Sequence, residues 1–224
     1  RRLYAMSRPI AGTLAQRYLH SRGIVTGADG DPLRFHPRCY YRPDDSPTET
    51  WPALIAAVTD LGGSITGVHR TWLDRSGHDK APIDSPRRAM GHLLGHGVRF
   101  GVANDVMAAG EGIETMLSLR SVLPNLPMMA ALSANHLAAL QLPPTLRRLY
   151  VARDADSAGD AAMASLCHRA EAAGIEVRSL LPCFDDFNED LRRLGAERLR
   201  ASVRRQLAPQ DVVRFLALAT AVKG

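Results

Sequence analysis

Between residues 101 and 200, short apolar runs alternate with stretches of helical spacing, and this rhythm limits the fold more than any other feature. The order is VMAA, IETMLSLRSVL, MMAAL, NHLAALQL, RRLYVA, AGDAAMASLCHRAEAAG, IEVRSLL, NEDLRRLG. Short apolar runs of this kind read as buried strands, and strands that alternate with helices predict parallel βαβ units. A parallel pair needs a crossover, and the crossover helices cover both faces of the sheet. The expected class is therefore α/β, with a domain at 101–195 and a helical segment at 196–224 that contains one or two amphipathic helices.

The first hundred residues have a different character. SRPIAGTLAQRYLHSRGI has apolar residues at helical spacing and stops at Arg22-Gly23, a plausible helix end. Residues Leu33 to Glu49 are rich in Pro, Arg and Asp with no sustained period, and predict a loop. ALIAAVTDLGGSITGVHRTWLD carries two β-favouring runs around Leu61-Gly62-Gly63, the pattern of a hairpin. This region is expected to be a smaller mixed α+β subdomain at 1–100. It is also the basic part, with 14 Lys and Arg against 9 Asp and Glu, whereas residues 101–224 hold 14 against 14. A basic excess of this size is a modest sign of a polyanionic partner.

In an open parallel sheet, ligands bind beyond the carboxyl ends of the strands, so polar residues that come directly after a strand matter most. Glu111-Gly112 comes after VMAAG. Asp154 and Asp156 come after RRLYVAR. Asp185, Asp186 and Asn188 come after IEVRSLLPCF. Each motif alone is commonly a turn or a helix cap. Together, in matching contexts, they bring carboxylates to one edge of one sheet, where mutual repulsion calls for a cation. An oxygen-only donor set points to Mg²⁺ or Mn²⁺. Glu114 is either a further ligand or a surface carboxylate.

Other residues predict less. His36 and Cys39 in HPRC have no second pair at zinc-site spacing. His92 and His96 are four apart in HLLGH, without the glutamate of a zinc-protease motif, and read as structural. Trp51 and Trp72 read as core or groove wall. Three scattered cysteines fit a reducing compartment, and the expected location is cytoplasmic. No apolar run approaches the length of a membrane span, so no membrane partner is expected. The chain opens at Arg1 with neither an initiator Met nor a signal pattern, and is expected to be a piece of a longer protein.

The ordered set GEGIETMLSL, ARDADSAG and DDFNEDL resembles the Toprim domain shared by bacterial primases, type IA and type II topoisomerases and some nucleases. Glu111 matches the family's glutamate, Asp154 and Asp156 its DxD, and residues 186–191 its final acidic motif. Replicative primases have an aspartate where Thr115 stands and another where Asn188 stands, which puts the second metal's ligands in question. The first half resembles the basic subdomain that precedes Toprim in bacterial-type primases. AQRYLHSRGI is similar to their YLxxRGI helix, the hairpin to their FPI and VIGFGGR strands, and KAPIDSPRR to their KYLNSPET.

The resemblance, closest to plasmid, phage and integrated-element proteins, implies a DNA primase core that synthesises RNA primers by two-metal nucleotidyl transfer. Glu111, Asp154 and Asp156 would be catalytic and metal-binding, with Asp186 and Asn188 as further ligands. Arg70 and Lys80, with Arg87 and Arg88 beside them, would bind template or nucleotide. Single-stranded DNA, ribonucleoside triphosphates and a replicative helicase are the implied partners. The rival readings are a Toprim nuclease, in which the metals activate water, and a non-catalytic module that binds single-stranded DNA or the replisome.

Overall fold

The structure is a computed structural model that describes residues 1–25, 32–44, 47–153 and 158–216, without the side chains of 158–162. Two short helices, α1 (Arg2–Ala5) and α2 (Leu14–Ser21), precede four antiparallel strands: β1 (Leu33–Tyr41), β2 (Glu49–Thr59), β3 (Ile65–Trp72) and β4 (Arg87–Gly91), in that spatial order. The expected hairpin is β2–β3. Its turn is closed by Asp60, whose N–H donates to the Ser64 carbonyl and whose Oδ1 accepts from the Ser64 N–H, with Gly63 at φ 79°.

The loop expected over Leu33 to Glu49 is corrected by β1, which occupies its first nine residues. Period-two alternation is present there, as Leu33, Phe35, Pro37, Cys39 and Tyr41, but a bulge between His36 and Cys39 inserts one residue against β2. The bulge turns the later side chains to the other face. Leu33 and Phe35 join the core shared with the rest of the molecule, whereas Cys39 and Tyr41 join Ile55, Val68 and Trp72 on the outer face. Both faces of this sheet are therefore partly covered, which blurs the polar-out signal that a half-exposed strand gives.

The second sheet has the order β5-β7-β6-β8-β9. It contains β5 (Val98–Phe100), β6 (Val106–Gly110), β7 (Met128–Ala130), β8 (Arg148–Ala152) and β9 (Glu176–Leu180), with α3 (Ile113–Val122), α4 (Ala134–Ala138) and α5 (Ala158–Ala172) as crossovers. Strands β6 to β9 are parallel, as the alternation predicts, and β5 adds an antiparallel edge that the alternation does not predict. Every residue of β6 is buried. Val106 and Ala108 face the core shared with α2, α3 and the first sheet, and Met107 and Ala109 face a second core under α4 and α5.

The described residues end in α6 (Phe187–Arg204), broken at Gly195 with φ 79°, and α7 (Pro209–Leu216). The expected tail helix packs through a charge. Asp211, 2% exposed, accepts from the Tyr150 hydroxyl at 2.6 Å and from Arg148 Nη1 at 2.8 Å, while the Ala208 N–H donates to Tyr150 at 2.9 Å. No helix among the described residues is long and apolar enough to cross a membrane.

Candidate active site

Glu111 sits immediately beyond β6, in the turn into α3. Tight packing fixes this turn. A Cβ on Gly110 would lie 2.7 Å from the Met116 sulfur and 3.1 Å from the Ala152 Cβ, so only glycine lets β6, α3 and β8 approach this closely. The adjoining turn after β7 is bonded to it, since the Leu132 N–H donates to the Glu111 carbonyl at 2.9 Å. Leu132 holds φ 80°, a left-handed conformation that costs a branched residue about 1–2 kcal/mol.

Glu111, Gly112, Leu132 and His136 form one wall of a cavity of about 420 Å³, and His69, Arg87 and Ala89 form the other. The first sheet supplies that second wall through its pleat. The register pairs His69 with Ala89 and Thr71 with Arg87, so these four side chains share a face, and it is the face turned to Glu111. Arg70 pairs with Arg88 and points the other way.

This parity divides the four basic residues expected to act together. Arg70 lies over the Trp72 ring at 4.8 Å and Arg88 over the Tyr41 ring at 5.0 Å, with Arg88 Nη1 donating to the Arg42 carbonyl at 3.0 Å. Arg88 borders the cavity, but its guanidinium is engaged on the outer face. Burial pushes the Arg70 pKa below its ordinary value, and its Nε is buried without a partner among the described residues. Arg87 and Lys80 are the pair whose charges reach the cleft, where both act on Glu114. The loop that carries Lys80 is held by α2, through Arg17 to the Ser76 carbonyl, Ser21 to the His78 carbonyl and an Arg22–Asp79 ion pair at 2.9 Å.

Two further residues make contacts that the sequence does not reveal. Glu114 lines the cavity beside Glu111 and is not a surface carboxylate, since the Tyr18 hydroxyl donates to its Oε1 at 2.7 Å and ties α2 to α3. Burial drives its pKa up, but Lys80, the Tyr18 hydroxyl and Arg87 outweigh burial and hold it below the ordinary value. Burial, and after it the Glu114 charge, pushes the Tyr18 hydroxyl far up. Asn188 is 3% exposed, and its amide nitrogen donates to the Arg22 carbonyl at 2.9 Å and to Ser118 Oγ at 3.0 Å. These bonds make the amide nitrogen a packing strut between α6, α3 and the end of α2.

Asp186 caps α6, its Oδ1 accepting from the Glu189 N–H at 2.7 Å, and Asp185 is exposed. Asp190 is fully buried and accepts from the N–H groups of Cys183 and Phe184 at 2.8 and 2.9 Å, which fixes the loop after β9. Asp154 and Asp156 lie outside the described residues. Among the described residues, no three His, Cys, Asp or Glu side chains gather as a metal site. His92 and His96 lie in the turn after β4 and share no helix, with the His96 ring at hydrogen-bond distance from the His92 carbonyl. Trp72 is core, and Trp51 lies under Arg75 with its Nε1 donating to Glu49.

Residues 106–197 match the family model described as the Toprim domain. This part of the chain is a Toprim domain. Residues 1–100 match a model described as a domain of unknown function, DUF7146. Among solved structures, the chain is similar to the zinc-binding and RNA polymerase domains of the Aquifex aeolicus primase, with 17% identity and a TM-score of 0.61 over 95% of this chain and 61% of that one. It spans about three fifths of that protein's resolved length, 61%. A DNA primase domain from Pseudomonas aeruginosa gives 17% identity and a TM-score of 0.60, over 95% of this chain and 81% of that one. The primase fragment of the bacteriophage T7 primase-helicase protein gives 13% and 0.54, over 91% and 74%. No curated protein matches the chain. The fold is thus that of a primase core, a Toprim domain behind an antiparallel sheet.

No sequence motif marks His69, His136 or Leu132 as part of this cavity. For His69 the signal exists, since alternation along ITGVHRTW sets it beside Thr71 and apart from Arg70. His136 and Leu132 reach the cavity through a turn whose path nothing local dictates.

Proposed function

We propose that the chain is the catalytic core of a DNA primase, joining ribonucleotides on a single-stranded DNA template. One observation carries the reading: the cavity that begins at Glu111 of the Toprim domain is closed by the Arg87 face of the basic sheet. A nucleoside triphosphate needs both walls, carboxylates that engage its phosphates through cations and fixed positive charge beside them. The fold shared with primase cores supports it.

The donor set fits a hard divalent cation, because it consists of carboxylates alone. Mg²⁺ or Mn²⁺ would be held by Glu111 with Asp154 and Asp156, and by Asp186 if its oxygens reach beyond the helix cap. When bound, it supplies positive charge against the triphosphate. Arg87 and Lys80 orient the phosphates from the opposite wall. A Glu111 carboxylate oxygen accepts the proton of the attacking 3′ hydroxyl as its oxygen bonds to the α-phosphorus and pyrophosphate departs. Glu114, held by Tyr18, keeps α2 and α3 in register around this centre. Arg70 and Arg88, on the outer face, act on stability or on the template strand. A replicative helicase is the partner this activity calls for, in the cytoplasm.

The test is primer synthesis on single-stranded DNA with labelled ribonucleotides and Mg²⁺ or Mn²⁺. Primers are expected from the wild type, and a loss on the order of 100-fold or more from Glu111→Gln. Equal product from the two proteins overturns the assignment. Strand cleavage without incorporation replaces it with a nuclease, and DNA binding without either reaction replaces it with a binding module.

A further inference from the structure

The cavity contains two imidazoles for which the proposed chemistry has no use. His69 is 8% exposed, lines the cavity on the face toward Glu111, and has no hydrogen bond at either ring nitrogen among the described residues; its Nδ1 is buried outright. His136, in the short helix after the strained Leu132, lines the same cavity, and its Nδ1 is likewise buried without a partner among the described residues. Leaving a buried polar atom unpaired is costly, so most such atoms in folded proteins find a partner. Two unpaired rings around one cavity call for a ligand that offers several neutral hydrogen-bonding groups.

The surroundings narrow the ligand's chemistry. Burial pushes the His69 pKa down to about 4, against a smaller opposing effect of Glu114, and Arg87, Arg70 and Lys80 push in the same direction as burial. The ring is neutral at physiological pH, with one N–H and one lone pair. A phosphate oxygen only accepts hydrogen bonds, and Arg87 and Lys80 already serve it. A hydroxyl both donates and accepts, as does a neutral imidazole. In a nucleotide whose phosphates lie between Glu111 and Arg87, the next unit along is the sugar.

We infer that His69, with His136 beside it, is a specificity-determining residue that hydrogen-bonds the sugar hydroxyls of the incoming nucleotide and so selects ribose over deoxyribose. This rests on the primase reading. It also explains why the ring is buried without a protein partner at the one wall of the cleft that carries no carboxylate.

The experiment compares ATP with dATP, both as incorporation on a single-stranded template and as direct binding by titration calorimetry with Mg²⁺. The proteins are the wild type, His69→Phe, His69→Gln and His136→Ala. The wild type is expected to prefer ATP by tenfold or more in kcat/KM. His69→Phe, which keeps a ring and removes the hydrogen bonds, is expected to lose about tenfold of that preference through a raised KM for ATP, with dATP little changed. His69→Gln should restore part of it, and His136→Ala should lose a smaller part.

An equal fall for both nucleotides, or an unchanged preference in both His69 variants, overturns the inference. A melting curve for each protein separates loss of recognition from loss of fold. If the wild type makes no primer from either nucleotide, the primase reading fails, and the binding arm still decides: preference for ATP that His69→Phe removes sustains the sugar contact, and its absence overturns it.

Discussion

The two sheets place the candidate site residues by different rules. In the parallel sheet the important positions are strand ends, so Glu111 is found as the first polar residue after an apolar run, and side-chain parity hardly matters. In the antiparallel sheet they lie on a strand face, and the pleat decides. Arg87 and Arg88 are neighbours in sequence, and one lines the cleft while the guanidinium of the other packs over Tyr41 behind the sheet. Proximity in sequence is therefore a sound guide to shared function at the end of a strand and a misleading one along its length.

The sharpest way to break this contrast lies in the α7 contact made by Tyr150 from the middle of β8, where residues should govern stability alone. Asp211→Ala removes the acceptor for Tyr150 and Arg148 and leaves buried donors behind, with an expected loss of about 3–5 kcal/mol in denaturant unfolding. If the surviving folded fraction showed a changed nucleotide KM, the separation of strand middle from strand end would fail.

The next largest effect tests the antiparallel face through pH. The folded-state pKa of His69 is about 4, below its ordinary 6.5, so the unfolded chain binds the extra proton between those values. Stability should rise with pH across that window, by about 3 kcal/mol in all, and His69→Phe should flatten the rise in melts taken from pH 4 to 7. Glu114, whose pKa is depressed below 4.5, loses its contribution only at lower pH and should leave the slope above pH 5 unchanged.

A smaller effect separates adjacent residues. Arg87→Ala is expected to raise the nucleotide KM about tenfold with little change in melting, whereas Arg88→Ala should lower the melting temperature by a few degrees and leave KM alone. Similar KM changes in both would mean that the pleat does not sort them. Arg70→Ala should behave like Arg88→Ala, through lost packing on Trp72.

Much of the second half was legible because its signals are local. A run such as VMAAG is buried on both faces wherever it is placed in a parallel sheet, and the chain must turn directly after it, so the strand, the crossover helix and the position of Glu111 are dictated by the residues themselves. The β2–β3 hairpin and the end of α2 at Arg22-Gly23 were legible for the same reason. The rest depended on which surface each side chain meets. The bulge after His36 exchanges the faces of β1, and both faces of that sheet find cover, so alternation alone could not show which side turns to the cleft. That Glu114 and Asn188 also tie helices together does not show in the sequence, because the Tyr18 hydroxyl and the Arg22 carbonyl that bond them come from the distant α2 region. Local residue order was enough to set the periodicity of the elements and the carboxylate beyond β6. Tertiary packing settled which charges face that carboxylate and which imidazoles wait without partners, since facing and burial are properties of two surfaces and a local pattern describes only one.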